Sequence, residues 1–391
     1  ENRDRVQTHS AHRLNHKRKA ETALAPLGLN VLGYLRDETG VGQVARAILK
    51  SLDEQGIPVT QTAVKGNTTW GGDNSVLRLP TGNPHSINLI KINADQLPRV
   101  YQDVGPHFFQ DKYNIGFWSW ELSTFPEMWH DRFQYLDEIW VNSSFVQASI
   151  AAVSPIPVIN MRVPVVPRAP SQLTRADLDL PTNKKIFLFV FDAASYIERK
   201  NPFGLINAYR KAFEPHFEDT LLVIKVNNLQ KNPDVAQRLQ KEIKQVSGLL
   251  INRRLPEDQL NGLFHNCDAY VSLHRAEGFG FTLPEAMLLG KPVIGTAYSG
   301  TTDYMTSANS YLVPYELIEI DQDYGPYHKG NIWAEPNITT AAHLMQQVVE
   351  APEEAQQRGA LARQDILDNY SPAVVVEQII KRLRTIQRWG A

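Results

Sequence analysis

The sequence predicts an α/β fold with mostly parallel sheets in at least two domains. Segments with strand character alternate with amphipathic helical segments along most of the chain, a pattern typical of helices packed on parallel strands. The chain has 391 residues, which is enough for roughly two to three domains. Six prolines with polar filler lie between residues 155 and 181, and this composition marks the predicted connection between domains.

The predicted first domain begins with a strand over residues 29–34. A helix follows over residues 43–52, because apolar side chains from Val41 to Leu52 recur on one helical face. The further strands predicted for this domain cover residues 58–64, 87–92, 113–117, 138–141 and 158–161.

The predicted second domain repeats the alternation. Its strands cover residues 186–191, 221–226, 249–253, 268–273 and 292–295, and its helices cover residues 202–213, 234–246, 257–265 and 285–290. Residues 314–335 are rich in tyrosine, glycine and proline, and we interpret them as a long functional loop. A last helix starts at Pro372, behind the cap residue Ser371.

Two carboxylates surround a glycine turn that opens a helix in the stretch from His274 to Ala286, HRAEGFGFTLPEA. Backbone N–H groups at a helix start attract phosphate, and carboxylates accept hydrogen bonds from sugar hydroxyls. The stretch therefore suits a phosphorylated, polyhydroxylated ligand, with Glu277 and Glu285 on the hydroxyls. The structural alternative is that Glu285 closes a capping box with Thr282, three residues before it.

A longer run around these glutamates carries a family resemblance. Retaining GT-B glycosyltransferases have a donor-site signature that resembles Glu277-Gly-Phe-Gly through Glu285-Ala-Met-Leu-Leu-Gly-Lys-Pro-Val, followed by Ser-Gly-Thr-Thr-Asp at 299–303. This family includes sucrose-phosphate synthase and many bacterial polysaccharide-assembly enzymes. The resemblance implies two Rossmann-like domains facing across a cleft, with the last helix crossing back to the first domain. The expected boundaries are 26–165 plus 372–391 for the acceptor-side domain and 166–371 for the nucleotide-sugar-binding domain.

For function, the resemblance implies transfer of a hexose from a UDP-sugar, by preference UDP-glucose, in polysaccharide assembly. The acceptor would be an oligosaccharide or a lipid-linked saccharide. Glu277 would hold hydroxyls of the donor sugar, and Glu285 would hold the ribose diol. The diphosphate would lie against the backbone amides of the turn, namely those of Gly278, Phe279, Gly280, Phe281, Thr282 and Leu283.

Two adjacent cations, Arg199 and Lys200, lie between a predicted strand and the next helix. Cations at the carboxyl end of a parallel strand neutralise a diphosphate, as departure of a nucleotide diphosphate requires. Solvated surface charge is the alternative. The family carries a lysine before an asparagine or glycine here, which Lys200-Asn201 matches. Its arginine usually lies nearer the strand end, where this chain has Asp192, and the sequence leaves open whether Arg199 replaces it.

A second glycine motif opens the first helix. Gly40-Val-Gly-Gln-Val-Ala45 satisfies the dinucleotide fingerprint G-x-G-x-x-A, which makes an NAD(P)-dependent oxidoreductase the rival function. The loop from Tyr34 to Gly40 is longer than that fingerprint needs, and no acidic residue closes the second strand. By resemblance, Gly40 and Gly42 face the donor phosphates; otherwise they form a plain helix start. A non-catalytic sugar-binding protein is a third possibility.

Aromatic and acidic residues end one strand of the first domain, in Phe-Trp-Ser-Trp-Glu at 117–121. Trp118 and Trp120 offer a stacking face and Glu121 offers a hydrogen-bond acceptor, an arrangement that proteins commonly use to hold sugars. Asp95 follows another strand end and is a weaker candidate for the acceptor side. Core packing is the alternative for the tryptophans, above all for Trp118.

Composition argues against several classes of function. A net charge of −2 gives no support for nucleic-acid binding. The single cysteine, Cys267, excludes an internal disulfide and a cysteine zinc site, and it agrees with a cytoplasmic location. Residues 1–25 are expected to form a basic extension that makes at most a weak peripheral contact with anionic lipid at the inner membrane face.

Two aspartate pairs have the spacing found at metal sites, Asp177 with Asp179 and Asp321 with Asp323. Both pairs lie in predicted loops without an adjoining strand to hold them, so we interpret them as solvated. The sequence thus predicts an enzyme without a metal site or another cofactor.

Overall fold

The structure is a computed structural model that describes residues 26–37, 39–66 and 72–389. The basic extension predicted over residues 1–25, with its lipid contact, lies outside the described residues.

The first sheet contains six parallel strands within the described residues, in the order β2-β1-β3-β4-β5-β6. Its strands are β1 (Leu29–Gly33), β2 (Val59–Ala63), β3 (Ile87–Lys91), β4 (Tyr113–Trp118), β5 (Glu138–Val141) and β6 (Val158–Asn160). The helices among them are α1 (Gly40–Glu54), α2 (Leu97–Val104) and α3 (Ser144–Ala151). The strand order reverses between β1 and β3, and a crevice opens at the carboxyl ends of strands at such a reversal.

The second sheet is also parallel, and its order in the described chain is β12-β11-β10-β7-β8-β9. The strands are β7 (Lys185–Asp192), β8 (Thr220–Asn227), β9 (Leu249–Ile251), β10 (Ala269–Ser272), β11 (Val293–Thr296) and β12 (Tyr311–Val313). The helices are α4 (Ile197–Lys200), α5 (Pro202–Phe213), α6 (Pro233–Gln245), α7 (Glu257–Asn266) and α8 (Thr282–Leu288). This sheet reverses its order between β7 and β10. The prediction of two parallel-sheet α/β domains is confirmed.

The segment predicted as a long functional loop forms a β-hairpin, so the prediction of a loop without strands here was wrong. Its strands β13 (Tyr315–Glu319) and β14 (Ile332–Pro336) pair antiparallel, with Tyr315 opposite Pro336. The hairpin tip comprises residues 320–331. Most of β13 is solvent-exposed, and prolines and glycines flank the strands, which hid the pairing in the sequence.

Three helices close the chain, namely α9 (Ile338–Glu350), α10 (Pro352–Tyr370) and α11 (Pro372–Arg388). The last one packs against α1 of the first sheet. Arg382 on this helix pairs with Glu138 of β5, with Nε 3.1 Å from Oε1, and Glu138 is fully buried. The crossing of the last helix onto the first domain is therefore confirmed. No helix of the described residues is long and apolar enough to cross a membrane.

Candidate active site

Two loops meet where the second sheet reverses its strand order. One follows β7 and leads through Tyr196 into α4, and the other follows β10 and leads through His274 to Glu277. Ligands of open α/β sheets bind in the crevice at such a point. The topology thus brings together the cations and the first glutamate that the sequence singled out.

Glu277 lies between two cations. Arg199 Nη1 is 3.0 Å from its Oε2, and Lys200 Nζ donates a hydrogen bond to its Oε1. Glu277 is only 7% exposed. Burial alone would raise the pKa of Glu277, but Lys200 and Arg199 outweigh it and hold the pKa at about 2. The carboxylate is therefore ionised, and the two cations exceed it in charge, which suits an anionic ligand.

The position of Lys200 is fixed by its neighbour Asn201. Asn201 has a left-handed backbone (φ 54°), its side chain accepts from Gly204 N at 3.1 Å, and its amide donates to Leu273 O at 2.9 Å. The last bond ties the end of α4 to the loop after β10. Asparagine and glycine tolerate this conformation better than other residues, which explains their occurrence after the lysine.

Asp192, at the end of β7, stabilises its own loop. It accepts hydrogen bonds from Ala194 N at 2.8 Å and from Asn228 Nδ2 at 2.9 Å. The arginine that contacts Glu277 is Arg199, whose Nη1 also donates to Ala276 O at 2.7 Å. Arg199 thus lies in the cluster with Lys200, although the strand-end position is acidic. A polar cavity of about 330 Å³ opens beside Asp192 at the carboxyl ends of β7 to β9.

The glycine turn leads into α8 as a compact unit. Gly280 has a φ of 76°, and Leu283 N donates to Gly280 O at 3.0 Å, so the Leu283 amide is bonded within the turn. The side chains of Phe279 and Leu283 are buried, whereas Gly280, Phe281 and Thr282 are half-buried. Binding of phosphate by the amides of this turn stays a prediction.

Glu285 does not form a capping box. Helix α8 has Phe281 at its N-cap and no side-chain cap. Instead, Oε2 of Glu285 accepts from Arg168 Nη2 at 2.6 Å, and Oε1 accepts from Gln43 Nε2 of the first domain at 3.0 Å. The capping-box alternative is therefore wrong. Arg168, which sequence reasoning missed, comes from the proline-rich connection and also stacks on Phe264.

The two glycines at the start of α1 differ in their surroundings. A Cβ on Gly40 would lie 4.0 Å from the ring of Phe281, so Gly40 faces the glycine turn of the other domain. A Cβ on Gly42 would lie 2.4 Å from Asp37 O and 2.6 Å from Tyr34 O. Gly42 is thus required by the packing of its own turn, in agreement with a plain helix start.

The tryptophans of the first domain are part of its core. Trp118 is fully buried and stacks on Phe125 with ring centres 5.6 Å apart, so the stacking role predicted for it is replaced by core packing. Trp120 is 2% exposed, and its Nε1 donates to Thr124 O at 2.9 Å. Glu121 is half-buried and Asp95 is exposed, so both of these residues remain at least partly accessible to solvent.

A buried lysine holds the loop that carries Trp120 and Glu121. Lys91, the last residue of β3, donates to Phe117 O at 3.2 Å and to Ser119 Oγ at 3.1 Å. Burial lowers the pKa of Lys91 to about 7. The sequence did not predict a role for this residue, because a lysine at the end of an apolar strand is expected to be exposed to solvent.

The segment of the chain that carries this cluster matches a known protein family. Residues 171–365 match the family model of the glycosyl transferases group 1, and this range holds both glutamates and both cations. The chain belongs to the group 1 glycosyltransferases. The matched range covers most of the second domain.

Solved structures agree with this family in fold. HepE from Anabaena has 15% sequence identity and a TM-score of 0.63, with 92% of this chain and 100% of that chain covered. Sucrose-phosphate synthase from Thermosynechococcus elongatus has 14% identity and a TM-score of 0.67, covering 92% and 99%. A glycosyltransferase from Rickettsia africae has 14% identity and a TM-score of 0.65, covering 92% and 98%. No curated protein matches the chain.

The two domains of this glycosyltransferase touch at the site. A Cβ on Gly278 would lie 2.6 Å from Trp120 O, so only a glycine permits this approach of the two loops. Nearby, Oδ2 of Asp303 in the second domain accepts a hydrogen bond from Ser144 N of the first at 2.8 Å. The glycine turn of the second domain and the loop after β4 of the first are therefore neighbours across a narrow cleft.

The aspartate pairs of the glycosyltransferase lie on the surface. Asp177 accepts from Thr174 N at 2.8 Å, and Asp323 accepts from Lys329 N at 2.8 Å, so each is bonded within its own loop. Within the described ranges, no three histidine, cysteine, aspartate or glutamate side chains gather as a metal-binding group.

Proposed function

We propose that the enzyme is a retaining hexosyltransferase that uses a UDP-sugar, by preference UDP-glucose, and a saccharide acceptor in polysaccharide biosynthesis. The observation that carries the proposal is the buried cluster of Arg199, Lys200 and Glu277 at the strand-order reversal of the second sheet. HepE, which shares the fold, was crystallised with UDP-glucose and with UDP and glucose, which supports this class of donor.

In this proposal the donor diphosphate lies against Arg199 and Lys200. The ammonium group of Lys200 has three N–H donors, and one of them is used on Glu277. Negative charge on the diphosphate grows as its bond to the sugar weakens, so fixed cations stabilise the transition state more than the ground state. Glu277 keeps both cations in place and offers oxygen atoms to the sugar hydroxyls.

The remaining contacts of the donor follow the signature. Glu285 would accept hydrogen bonds from the ribose diol, beside its bonds to Arg168 and Gln43. Gly40 and the turn from Gly278 to Leu283 would border the diphosphate.

The acceptor would lie on the first-domain side, against Glu121 and Asp95. The bond between the anomeric carbon and the diphosphate oxygen breaks, and the acceptor oxygen bonds to the same carbon. The acceptor proton passes to the departing diphosphate, so no further reactant is needed. Closure of the cleft excludes water as a competing acceptor.

The test is incubation with radiolabelled UDP-sugars, with and without oligosaccharide acceptors. Label in a saccharide product, together with release of UDP, is the expected result. Binding of the sugar without turnover would indicate a sugar-binding protein, and reduction of NAD(P)⁺ would indicate an oxidoreductase. The anomeric configuration of the product, read by NMR, tests retention, because an α-linked donor must then give an α-linked product.

A further inference from the structure

The hairpin of β13 and β14 reaches from the second domain to the first. Its base is fixed to the loop after β10, where Arg275 Nε lies 2.6 Å from Glu335 Oε2 and Ala334 N donates to Arg275 O at 2.9 Å. Its tip carries Tyr327 inward, and only 3% of this residue is exposed. The tip therefore forms part of the cleft.

Tyr327 contacts groups of both domains. Its hydroxyl donates to Oε2 of Glu121 at 2.8 Å, and the guanidinium of Arg199 lies 5.9 Å from the centre of its ring. The rings of Trp120 and Tyr196 lie 5.6 Å and 5.2 Å away, centre to centre, and enclose it. The phenol thus joins the acceptor-side carboxylate to the donor-side cation.

This contact leaves Glu121 with one oxygen to offer. Among the described residues, Tyr327 is the hydrogen-bond partner of Oε2, and Oε1 has none. A carboxylate held through one oxygen presents the other in a fixed direction, ready to accept from a hydroxyl group. Burial and the Glu121 carboxylate keep the pKa of Tyr327 well above its ordinary value, so the phenol remains a donor at neutral pH.

We propose that Tyr327 is a positioning residue for the acceptor, which fixes Glu121 so that its other oxygen binds a hydroxyl group of the acceptor saccharide. The hairpin then sets acceptor specificity. This inference rests on the proposed function, because it places a saccharide on the first-domain side of the cleft.

The seat of the hairpin tip can be disturbed without removing any of these groups. Gly325 has a φ of 59°, and a Cβ there would lie 2.0 Å from the hydroxyl of Tyr196. Gly325→Ala therefore shifts the tip and withdraws the phenol from Glu121, while Tyr327 itself is retained.

The main experiment compares Tyr327→Phe with Tyr324→Phe. Tyr324 lies in the same tip, but its hydroxyl donates to Asp321 at 3.0 Å, outside the cleft. Tyr327→Phe is expected to lower acceptor kcat/KM about tenfold, mainly through KM, because a hydrogen bond to a charged group is lost. The affinity for UDP and the rate of donor hydrolysis should stay at wild-type values. Tyr324→Phe should leave the acceptor kcat/KM, the acceptor KM, the affinity for UDP and the rate of donor hydrolysis unchanged.

A double-mutant cycle tests whether Tyr327 acts through Glu121. Glu121→Gln should weaken the acceptor at least as much as Tyr327→Phe, and the double variant should be no worse than Glu121→Gln alone. Gly325→Ala should raise acceptor KM in the same way as Tyr327→Phe. Melting temperatures show whether each variant is folded.

Several outcomes would overturn the inference. Additive losses in the double variant would show that Tyr327 works independently of Glu121, and equal losses of UDP affinity would assign it to the donor site. If Tyr327→Phe does not fold, an unchanged acceptor KM in Gly325→Ala contradicts the inference. If Tyr327→Phe transfers the sugar at the wild-type rate with an unchanged acceptor KM, the inference about Tyr327 is wrong but the proposed function stands. If the wild-type protein neither binds any saccharide nor transfers a sugar to one, both the inference and the proposed function are wrong.

Discussion

Lys200 carries the first prediction at the scale of single residues. Lys200→Ala should lower kcat by roughly a hundredfold to a thousandfold, as does the loss of one fixed group that stabilises developing charge. The dissociation constant of UDP should change far less, since the charge that Lys200 meets is larger in the transition state. Steady-state kinetics and calorimetric titration with UDP measure the two effects. Lys211→Ala, at an exposed lysine of α5, is the control, and a wild-type rate in Lys200→Ala would remove Lys200 from the site.

Glu277 carries a prediction on stability and pH. Its pKa is about 2 in the folded protein against an ordinary value of 4.5, so its ion pairs stabilise the fold fully above pH 4.5 and lose this effect as the pH falls towards 2. Glu277→Gln leaves two buried cations unpaired and should cost about 3 kcal/mol or more at pH 7.

Urea denaturation of both proteins at pH 7 and pH 3 measures this difference. The free energy of unfolding of the wild type should exceed that of Glu277→Gln by less at pH 3 than at pH 7. A constant difference would mean that the Glu277 carboxylate is not held by its cations.

Variants of Glu285 and of its partner Arg168 distinguish a ligand contact of Glu285 from a purely structural one. Glu285→Ala should weaken UDP binding about tenfold, because a hydrogen bond from the ribose to a charged group is lost in ground and transition states alike. Arg168→Met removes the partner of Glu285 in the domain connection and should lower the melting temperature without this loss of affinity. Equal losses of UDP affinity in both variants would show that Glu285 only anchors the connection.

Residue types in the site were predictable where the backbone adopts a conformation that only a few residue types tolerate. The left-handed backbone at Asn201 and the glycine turn at Gly280 are of this kind, since each leaves a short local pattern in the sequence. Arg168 and Lys91 were not predictable. Their partners lie 117 and 26 to 28 residues away in the chain, so no local pattern records the contacts.

Among the elements, the closing helix α11 permits a direct test. Arg382→Leu leaves the fully buried Glu138 without its cation and should cost about 3 to 5 kcal/mol in the free energy of unfolding. Arg384→Leu, at an exposed position of the same helix, should have little effect. Urea denaturation measures the free energy of unfolding of both variants. Equal values would show that the ion pair of Arg382 does not stabilise the packing of the helix.

Strands of the first sheet were predicted well because their apolar pattern is strong, whereas strand β12 and helices α2, α3, α9 and α10 were not predicted. All six strands of the first sheet, for example, lie within two residues of their predicted limits. Helix α10 was missed because it buries small residues, among them Ala355, Gly359 and Ala362, which give little apolar periodicity. The hairpin was missed because β13 exposes most of its residues and its pairing with β14 spans the twelve residues of the tip, 320–331.

At the scale of the whole molecule, the alternation of elements predicted two sheets but not how they face each other. The cleft is narrow because Gly278 meets the backbone of Trp120 and because Glu285 meets Gln43. These contacts join residues far apart in the chain. The family resemblance supplied the facing arrangement, and the positions of the domain boundaries stay a prediction.

The facing of the two domains also bears on metal dependence. Arg199 and Lys200 lie at the reversal of strand order, so they bring positive charge to the place where, in our proposal, the diphosphate departs. A divalent cation would duplicate this charge, and we expect transfer to continue after exhaustive chelation. The measurement is transfer of label from a UDP-sugar in excess EDTA, with and without added magnesium or manganese. Asp177→Asn and Asp321→Asn should then have wild-type rates. Loss of activity in EDTA with recovery on either metal, and its abolition in one of these variants, would show that an aspartate pair of the surface loops binds a catalytic metal.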